Sequence, residues 1–239
     1  MAERIRLDLA LEQRGLAQSR ARARDAILRG TVRVSGTIVT KPGALVGAAD
    51  AIAINDPAAA YVSRAALKLI AGLDAGGIEV AGRTCLDLGA STGGFTQVLA
   101  ERGAAKIYAV DVGHGQLHQR VRDLPAVVSM EGANVKDLTR ADIPEPIDLL
   151  VCDVSFVSVT KVLAAPLSLC REGADAVILI KPQFEVGREH IGRNGIVTDT
   201  AAIARAIDAV VGFAAAQGWT HRRDGELDVV QAHQALKQK

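Results

Sequence analysis

Aromatic side chains are scarce in this sequence: four Phe, two Tyr and one Trp make up 3% of its 239 residues. So few rings leave little for recognition by base stacking. Cysteine is scarcer still. Cys85, Cys152 and Cys170 are the whole set, and no two form a CxxC pair. An odd, scattered set among apolar neighbours excludes a disulfide framework and a cysteine zinc site, and predicts buried thiols in a reducing compartment. No apolar run approaches the roughly 20 residues needed to cross a bilayer. The opening MAERIRLDLALEQRG holds acids and no apolar centre, which excludes a secretory signal and predicts a cytoplasmic protein. Net charge is only +1. A polyanionic partner must therefore be met by a local basic patch rather than by the chain as a whole.

What the chain does have is core. Hydrophobic residues make up 49%, too many for a disordered chain and enough for one large domain or a large and a small one. Up to about residue 56 the pattern gives two short helices and then strands. In RLDLALEQRG, Leu7 and Leu11 lie one turn apart and Gly15 is the stop. In SRARARDAILRG, Ser19 is the expected N-cap and Gly30 lies past the end. TVRVSGTIVT alternates on both sides of Ser35-Gly36, predicting a hairpin, and DAIAIND adds a strand. Asp56-Pro57 and Ala58 to Ala60 open a linker over 57–62.

From Tyr61 the rhythm changes. SRAALKLIAGL reads as a helix with Ser63 as its cap. The runs RTCLDL, KIYAVD, AVVSM, IDLLVCD and AVILIK then alternate with helical stretches at 94–102, 160–170 and 200–217. Such alternation predicts an α/β fold with a doubly wound parallel sheet. Ligands of such sheets bind beyond the carboxyl ends of the strands. Asp87, Asp111, Asp153 and Lys181 fall there. Any strand must end in something polar, but three carboxylates and one ammonium at one edge predict a site.

The stretch CLDLGASTGGFTQVLAERGA, residues 85–104, agrees with that edge. Glycines between a strand and a helix let the backbone turn tightly and approach a ligand. The helix start adds free N–H groups. The spacing of Gly89, Gly93 and Gly94 fits neither GxGxxG nor a P-loop. Asp111 ends the next strand, where a carboxylate would hold the hydroxyl pair of a nucleoside ribose.

DLGASTGGFT, AVDVGHGQL, CDVSF and LIKPQFEVGR resemble the TlyA-type family, often labelled hemolysins. Its members are S-adenosylmethionine-dependent ribosomal RNA 2'-O-methyltransferases with an FtsJ-like catalytic domain. The resemblance runs from Arg4 to about Trp219. It implies a Rossmann-like methyltransferase domain over 63–239, behind an RNA-binding domain over 1–56 of the type first seen in a ribosomal protein, the S-four type. It also implies ribosomal RNA or ribosomal subunits as partner, with cytidine as the nucleoside. By position it implies that Asp87, Gly89, Ser91, Gly93, Gly94 and Phe95 form the methionine side of the cofactor site. Asp111 would hold the ribose, and Asn134 and Val135 would flank the adenine. FtsJ-like enzymes use a Lys-Asp-Lys-Glu set, whose first three members match Lys68, Asp153 and Lys181. For the fourth, the polar tail GWTHRRDGELDVVQAHQALKQK offers Glu226 or Asp228, or lacks the acid.

Methyl transfer to a ribose hydroxyl needs the oxygen in line with the methyl group and a place for its proton. A neutral lysine can take that proton; burial and a second cation favour the neutral form, and a carboxylate opposes it. Lys181 is expected to receive or position the proton, with Asp153 orienting it and Lys68 assisting. On its own, Lys68 reads as a surface lysine. Phe95 is expected to pack in the core as well as line the site. His114 and His118 lie one turn apart but have no third ligand in the segment, so no metal is expected.

Residues 1–56 carry nine basic residues against six acids. Arg4, Arg6, Arg14, Arg20, Arg22 and Arg24 are the candidate RNA contacts, suited to phosphates and RNA shape. The plain alternative is a solvated helix surface. Two further functions compete: a catalytically impaired RNA-binding protein of the same fold, and a membrane-active hemolysin, which lacks a spanning segment or a strongly basic amphipathic helix.

Overall fold

The computed structural model describes residues 4–221, which divide between Ala60 and Tyr61 into two compact units. The first holds β1 (Ile5–Arg6), α1 (Leu7–Gln13), α2 (Arg20–Leu28), β2 (Val32–Val34), β3 (Thr37–Ile38), β4 (Leu45–Val46) and β5 (Ile52–Ile54). Ser19 caps α2, its hydroxyl accepting the Arg22 N–H, and so satisfies a donor the helix start leaves free. Ser35 and Gly36 both take positive φ, 48° and 84°. That pair matches the twist of a tight hairpin and joins β2 to β3. β2 lies between β3 and β5, while β1 pairs with β4. Leu7, Leu11, Ala23, Ile27, Val32 and Val46 fill the centre.

The second unit holds α3 (Ala65–Ala75), β6 (Thr84–Leu88), α4 (Gly94–Glu101), β7 (Lys106–Asp111), α5 (Gln119–Arg122), β8 (Val127–Glu131), β9 (Ile147–Cys152), α6 (Ala164–Ser168), β10 (Cys170–Ile178), α7 (Pro182–Glu185) and α8 (Thr200–Ala216). Its strands form a sheet in the order β10-β9-β6-β7-β8, every neighbouring pair parallel. The chain starts in the middle at β6, runs out to β8, and returns to β9 on the other side. The reversal between β6 and β9 is the topological switch point, where such sheets open a crevice. The strands read as continuous apolar runs because both faces are covered. Leu86, Tyr108 and Leu150 pack into one core with Ile143 and Leu163. Cys85, Ile107 and Leu149 point into the other, with Leu69, Leu73 and Leu99.

Cys85 and Cys152 are buried and Cys170 partly so; burial pushes all three thiols up to about 12. Among the described residues no helix is long and apolar enough to cross a membrane.

Candidate active site

The corner after β6 is built by three glycines with separate duties. Gly89 has φ +79°, and a Cβ there would lie 3.1 Å from the backbone of Val154, just past β9. Its absence lets the ends of β6 and β9 close on each other at the switch point. Gly93 has φ +97°, and a Cβ would lie 2.7 Å from a Leu117 methyl. At Gly94 a Cβ would lie 2.9 Å from Ser63 Cβ, so α4 can begin directly against the segment leading into α3. Ser63 does not cap α3 as an N-cap residue. The helix starts after Arg64, and the Ser63 hydroxyl accepts the Ala65 N–H in the turn before it.

Asp87 lies one residue inside the end of β6 and is fully buried. Thr96 on α4 donates its hydroxyl to Oδ2 at 2.6 Å, while Oδ1 is buried with no hydrogen-bond partner among the described residues. Burial pushes this carboxyl up to about 7, with the Asp153 and Asp111 charges adding to the shift and the bonds from Thr96 opposing it. Asp111 ends β7. Its two oxygens accept backbone N–H groups from Ser91 at 2.8 Å and Gly113 at 2.7 Å. Ser91 holds a left-handed φ of 47° that aims its amide across the crevice. Asn134 accepts the Lys136 N–H at 3.3 Å and starts a short turn over Val135–Asp137.

At the end of β9 one carboxylate meets two lysines. Lys181 Nζ lies 2.6 Å from Asp153 Oδ1 and Lys68 Nζ lies 3.9 Å from Oδ2. The shorter contact is an ion pair outside hydrogen-bond geometry, since Oδ1 makes no hydrogen bond among the described residues. Lys181 instead donates to the Asp153 carbonyl at 2.9 Å and to Ser155 Oγ at 2.6 Å. Lys68 is not a solvated surface lysine. Burial holds its ammonium below the usual range, Lys181 and Arg64 push the same way, and Asp153 opposes. Sheet register explains the meeting: Leu88 pairs with Cys152 and Cys152 with Ile178, so Asp153 and Lys181 leave the same edge.

Several residues at this edge had no role in the sequence reading. Phe156 has φ +69° and is 90% exposed, its ring 5.3 Å from that of Phe184 on α7. Glu185 on α7 accepts the Ser158 hydroxyl at 2.6 Å and the Val159 N–H at 2.9 Å, pinning the far end of the same loop. Phe184 and Glu185 lie in LIKPQFEVGR, where only the lysine had a role. Nothing in the spacing marks Phe156, because a left-handed loop residue belongs to no period.

Two of the expected site side chains are buried in the core, as expected in part for Phe95. The Phe95 ring packs in the core with Leu69 and Leu99, and Val135 packs with Tyr108 and Leu138; each has only its backbone to offer a ligand. His118 Nδ1 caps α5 by accepting the Arg120 N–H. Glu226 and Asp228 lie outside the described residues.

In the first unit, four of the candidate arginines are held by the fold. Arg6 makes two hydrogen bonds to Asp8 at 3.0 and 2.9 Å, and Arg20 joins the same carboxylate at 3.1 Å. Arg14 donates to the carbonyls of Gly47, Ala48 and Asp50, and Arg4 to that of Leu45. Arg24 is exposed on α2.

The FtsJ-like methyltransferase family matches residues 61–223 and the S4 domain family matches residues 5–52. A 16S/23S rRNA (cytidine-2'-O)-methyltransferase TlyA of Mycobacterium tuberculosis is 46% identical over 92% of this chain and 82% of its own length. Hemolysin A of Brachyspira hyodysenteriae is 41% identical over 82% of this chain and 81% of its own. Among solved structures, one provisionally described as a hemolysin from Streptococcus thermophilus superposes with TM-score 0.68 at 34% identity, over 91% of this chain and 80% of that one.

Proposed function

The chain belongs to the FtsJ-like methyltransferase family, and from that premise we propose that it methylates the 2'-hydroxyl of a cytidine ribose in ribosomal RNA, with S-adenosylmethionine as donor. The observation that carries the reading is the meeting of Lys181 and Lys68 on Asp153, at the switch point and beside the glycine corner. The printed name of the Mycobacterium tuberculosis relative supports the nucleoside and the RNA. A protein acting on ribosomes works in the cytoplasm.

The crevice residues fit the donor. Asp87 Oδ1 is a buried acceptor with no hydrogen-bond partner among the described residues, and Asp111 is a carboxylate fixed by two amides at the end of the second strand. Asp87 and the backbone of Gly89, Ser91, Gly93, Gly94 and Phe95 would hold the methionine side. Asp111 would hold the ribose, and Asn134 with the backbone of Val135 would flank the adenine. S-adenosylmethionine supplies an electrophilic methyl group on a sulfonium centre. Lys181 then receives or positions the acceptor's hydroxyl proton, Asp153 orients Lys181, and Lys68 adds a second cation that favours proton acceptance. The exposed ring of Phe156, tilted 47° against that of Phe184, offers an apolar face on which a base can rest. Arg22 and Arg24, with the exposed parts of Arg4, Arg6, Arg14 and Arg20 beyond their contacts within the fold, would meet RNA phosphates, a salt-sensitive affinity that reads no sequence.

The test is transfer of labelled methyl from S-adenosylmethionine to unmodified ribosomal RNA and to isolated subunits, followed by nucleoside digestion. Label in 2'-O-methylcytidine is the expected result. Cofactor binding without any transfer would leave an RNA-binding protein and remove the enzyme.

A further inference from the structure

Lys181 Nζ is enclosed by three oxygens: Asp153 Oδ1 at 2.6 Å, the Asp153 carbonyl at 2.9 Å and Ser155 Oγ at 2.6 Å. An ammonium has three N–H donors and no acceptor. Two donors are used in hydrogen bonds, to the Asp153 carbonyl and to Ser155 Oγ, while Oδ1 lies against the nitrogen as an ion-pair partner outside hydrogen-bond geometry. An incoming hydroxyl that approaches this crowded nitrogen comes up against one of the three oxygens. Two belong to Asp153, whose backbone is tied into the sheet through its N–H to the Leu88 carbonyl at 3.0 Å. The third sits on an exposed residue and turns away by rotation of one side-chain bond, a picosecond-to-nanosecond event.

We propose that the Ser155 hydroxyl is an internal stand-in for the acceptor alcohol, holding one of the two hydrogen-bonded positions on Lys181 until a ribose hydroxyl displaces it. The proposal rests on the reading that Lys181 faces such a hydroxyl. The exchange is alcohol for alcohol, with the same donor and acceptor capacity, so the net change in hydrogen bonding is small. The loop does not depend on the displaced contact. Glu185 holds it at Ser158 and Val159, so Ser155 can let go of Lys181 while the backbone stays in place.

Among the described residues, the charged and titratable groups around Lys181 are Asp153 beside it and Lys68 on α3, whose ammonium also feels Arg64, while the buried Asp87 and Cys152 feel the same Asp153 charge. Glu185 shares its turn but is engaged with the loop. Against that fixed background, deleting the Ser155 oxygen removes one acceptor from the charged amine and makes its proton easier to lose.

Ser155→Ala and Ser155→Gly remove the hydroxyl, and Ser155→Thr keeps it. The readouts are the pH profile of kcat/KM, the KM for ribosomal RNA, and cofactor affinity by calorimetry. The acidic limb of the Ala and Gly profiles is expected about half to one pH unit lower than wild type, with KM unchanged or lower and the Thr profile restored. A structural role would lower the rate at every pH and leave the limb in place. Coincident limbs in wild type, Ala and Gly overturn the proposal, and so does a Thr limb displaced as far as that of Ala. A wild-type protein that binds cofactor but transfers no methyl overturns the functional reading instead, and the proposal with it.

Discussion

Asp8 in the first unit and Asp153 in the second each face two cations, yet the clusters are built from different chemistry. Around Asp8 both cations are arginines, and the carboxylate also accepts the Leu9 N–H at 3.0 Å. The hydrogen bonds from Arg6, with help from Arg20, hold its carboxyl down at about 2 despite burial. Around Asp153 both cations are lysines, one at 2.6 Å and the other at 3.9 Å, and burial pushes Lys68 toward losing its proton. A guanidinium forks onto a carboxylate and stays charged at any working pH; an ammonium is a single point that can give its proton up. The same count of charges thus fastens a small module in one place and keeps a proton within reach in the other.

Exchanging the cation type at the crevice breaks this contrast most severely. Lys181→Ala is expected to lower methyl transfer by about three orders of magnitude while cofactor affinity, measured by calorimetry, stays near wild type. Lys181→Arg is expected to be as inactive, because a guanidinium cannot accept the proton. An active Arg variant would show that only positive charge is needed there. Phe156→Ala removes the exposed ring and is expected to raise the KM for RNA about tenfold with little change in kcat, the size of one lost base stack.

In the first unit the effects fall on stability. Asp8→Asn is expected to cost about 1–2 kcal/mol at pH 7 in urea unfolding of the full chain. Because the folded carboxyl titrates near 2, below its usual value near 4, its contribution is complete above pH 4 and is lost as pH falls toward 2. The gap between wild type and variant should close over that interval, and a constant gap would mean the pairing is not the cause. Arg24→Glu is expected to weaken RNA binding a few-fold and flatten its salt dependence by about one phosphate contact, with stability unchanged. Arg20→Glu should do both, since Arg20 also holds Asp8.

The central strands were legible because a strand covered on both faces must be apolar throughout, as in IDLLVCD. The edge was not. AVILIK reads as the last strand, yet β10 begins at Cys170 and ends at Ile178, leaving Lys181 as the residue that caps α7. Its first half, REGAD, is polar, as suits a strand that lies at the sheet edge among the described residues. The helix expected over 160–170 shrinks to a short turn at Val159–Lys161 and α6 at Ala164–Ser168, with Pro166 in the first turn of α6, where its missing N–H is tolerated. The β1–β4 pairing of two residues each is too short to leave any period. At the site, Asp87, Asp111, Asp153 and Lys181 could be found as polar ends of apolar runs. Ser155, Phe156 and Glu185 could not, since their positions come from a loop pinned at both ends.

By itself the sequence determined the alternation of strands and helices, the glycine corner and which charges end the strands, because periodicity and backbone freedom are local properties of the chain. Only the tertiary structure decided which arginines are spent on Asp8 and which oxygens surround Lys181. It also decided that Lys68, an ordinary helix lysine by its neighbours, is drawn into the crevice. Those outcomes depend on strand order and on burial, and both arise from contacts between residues far apart along the chain.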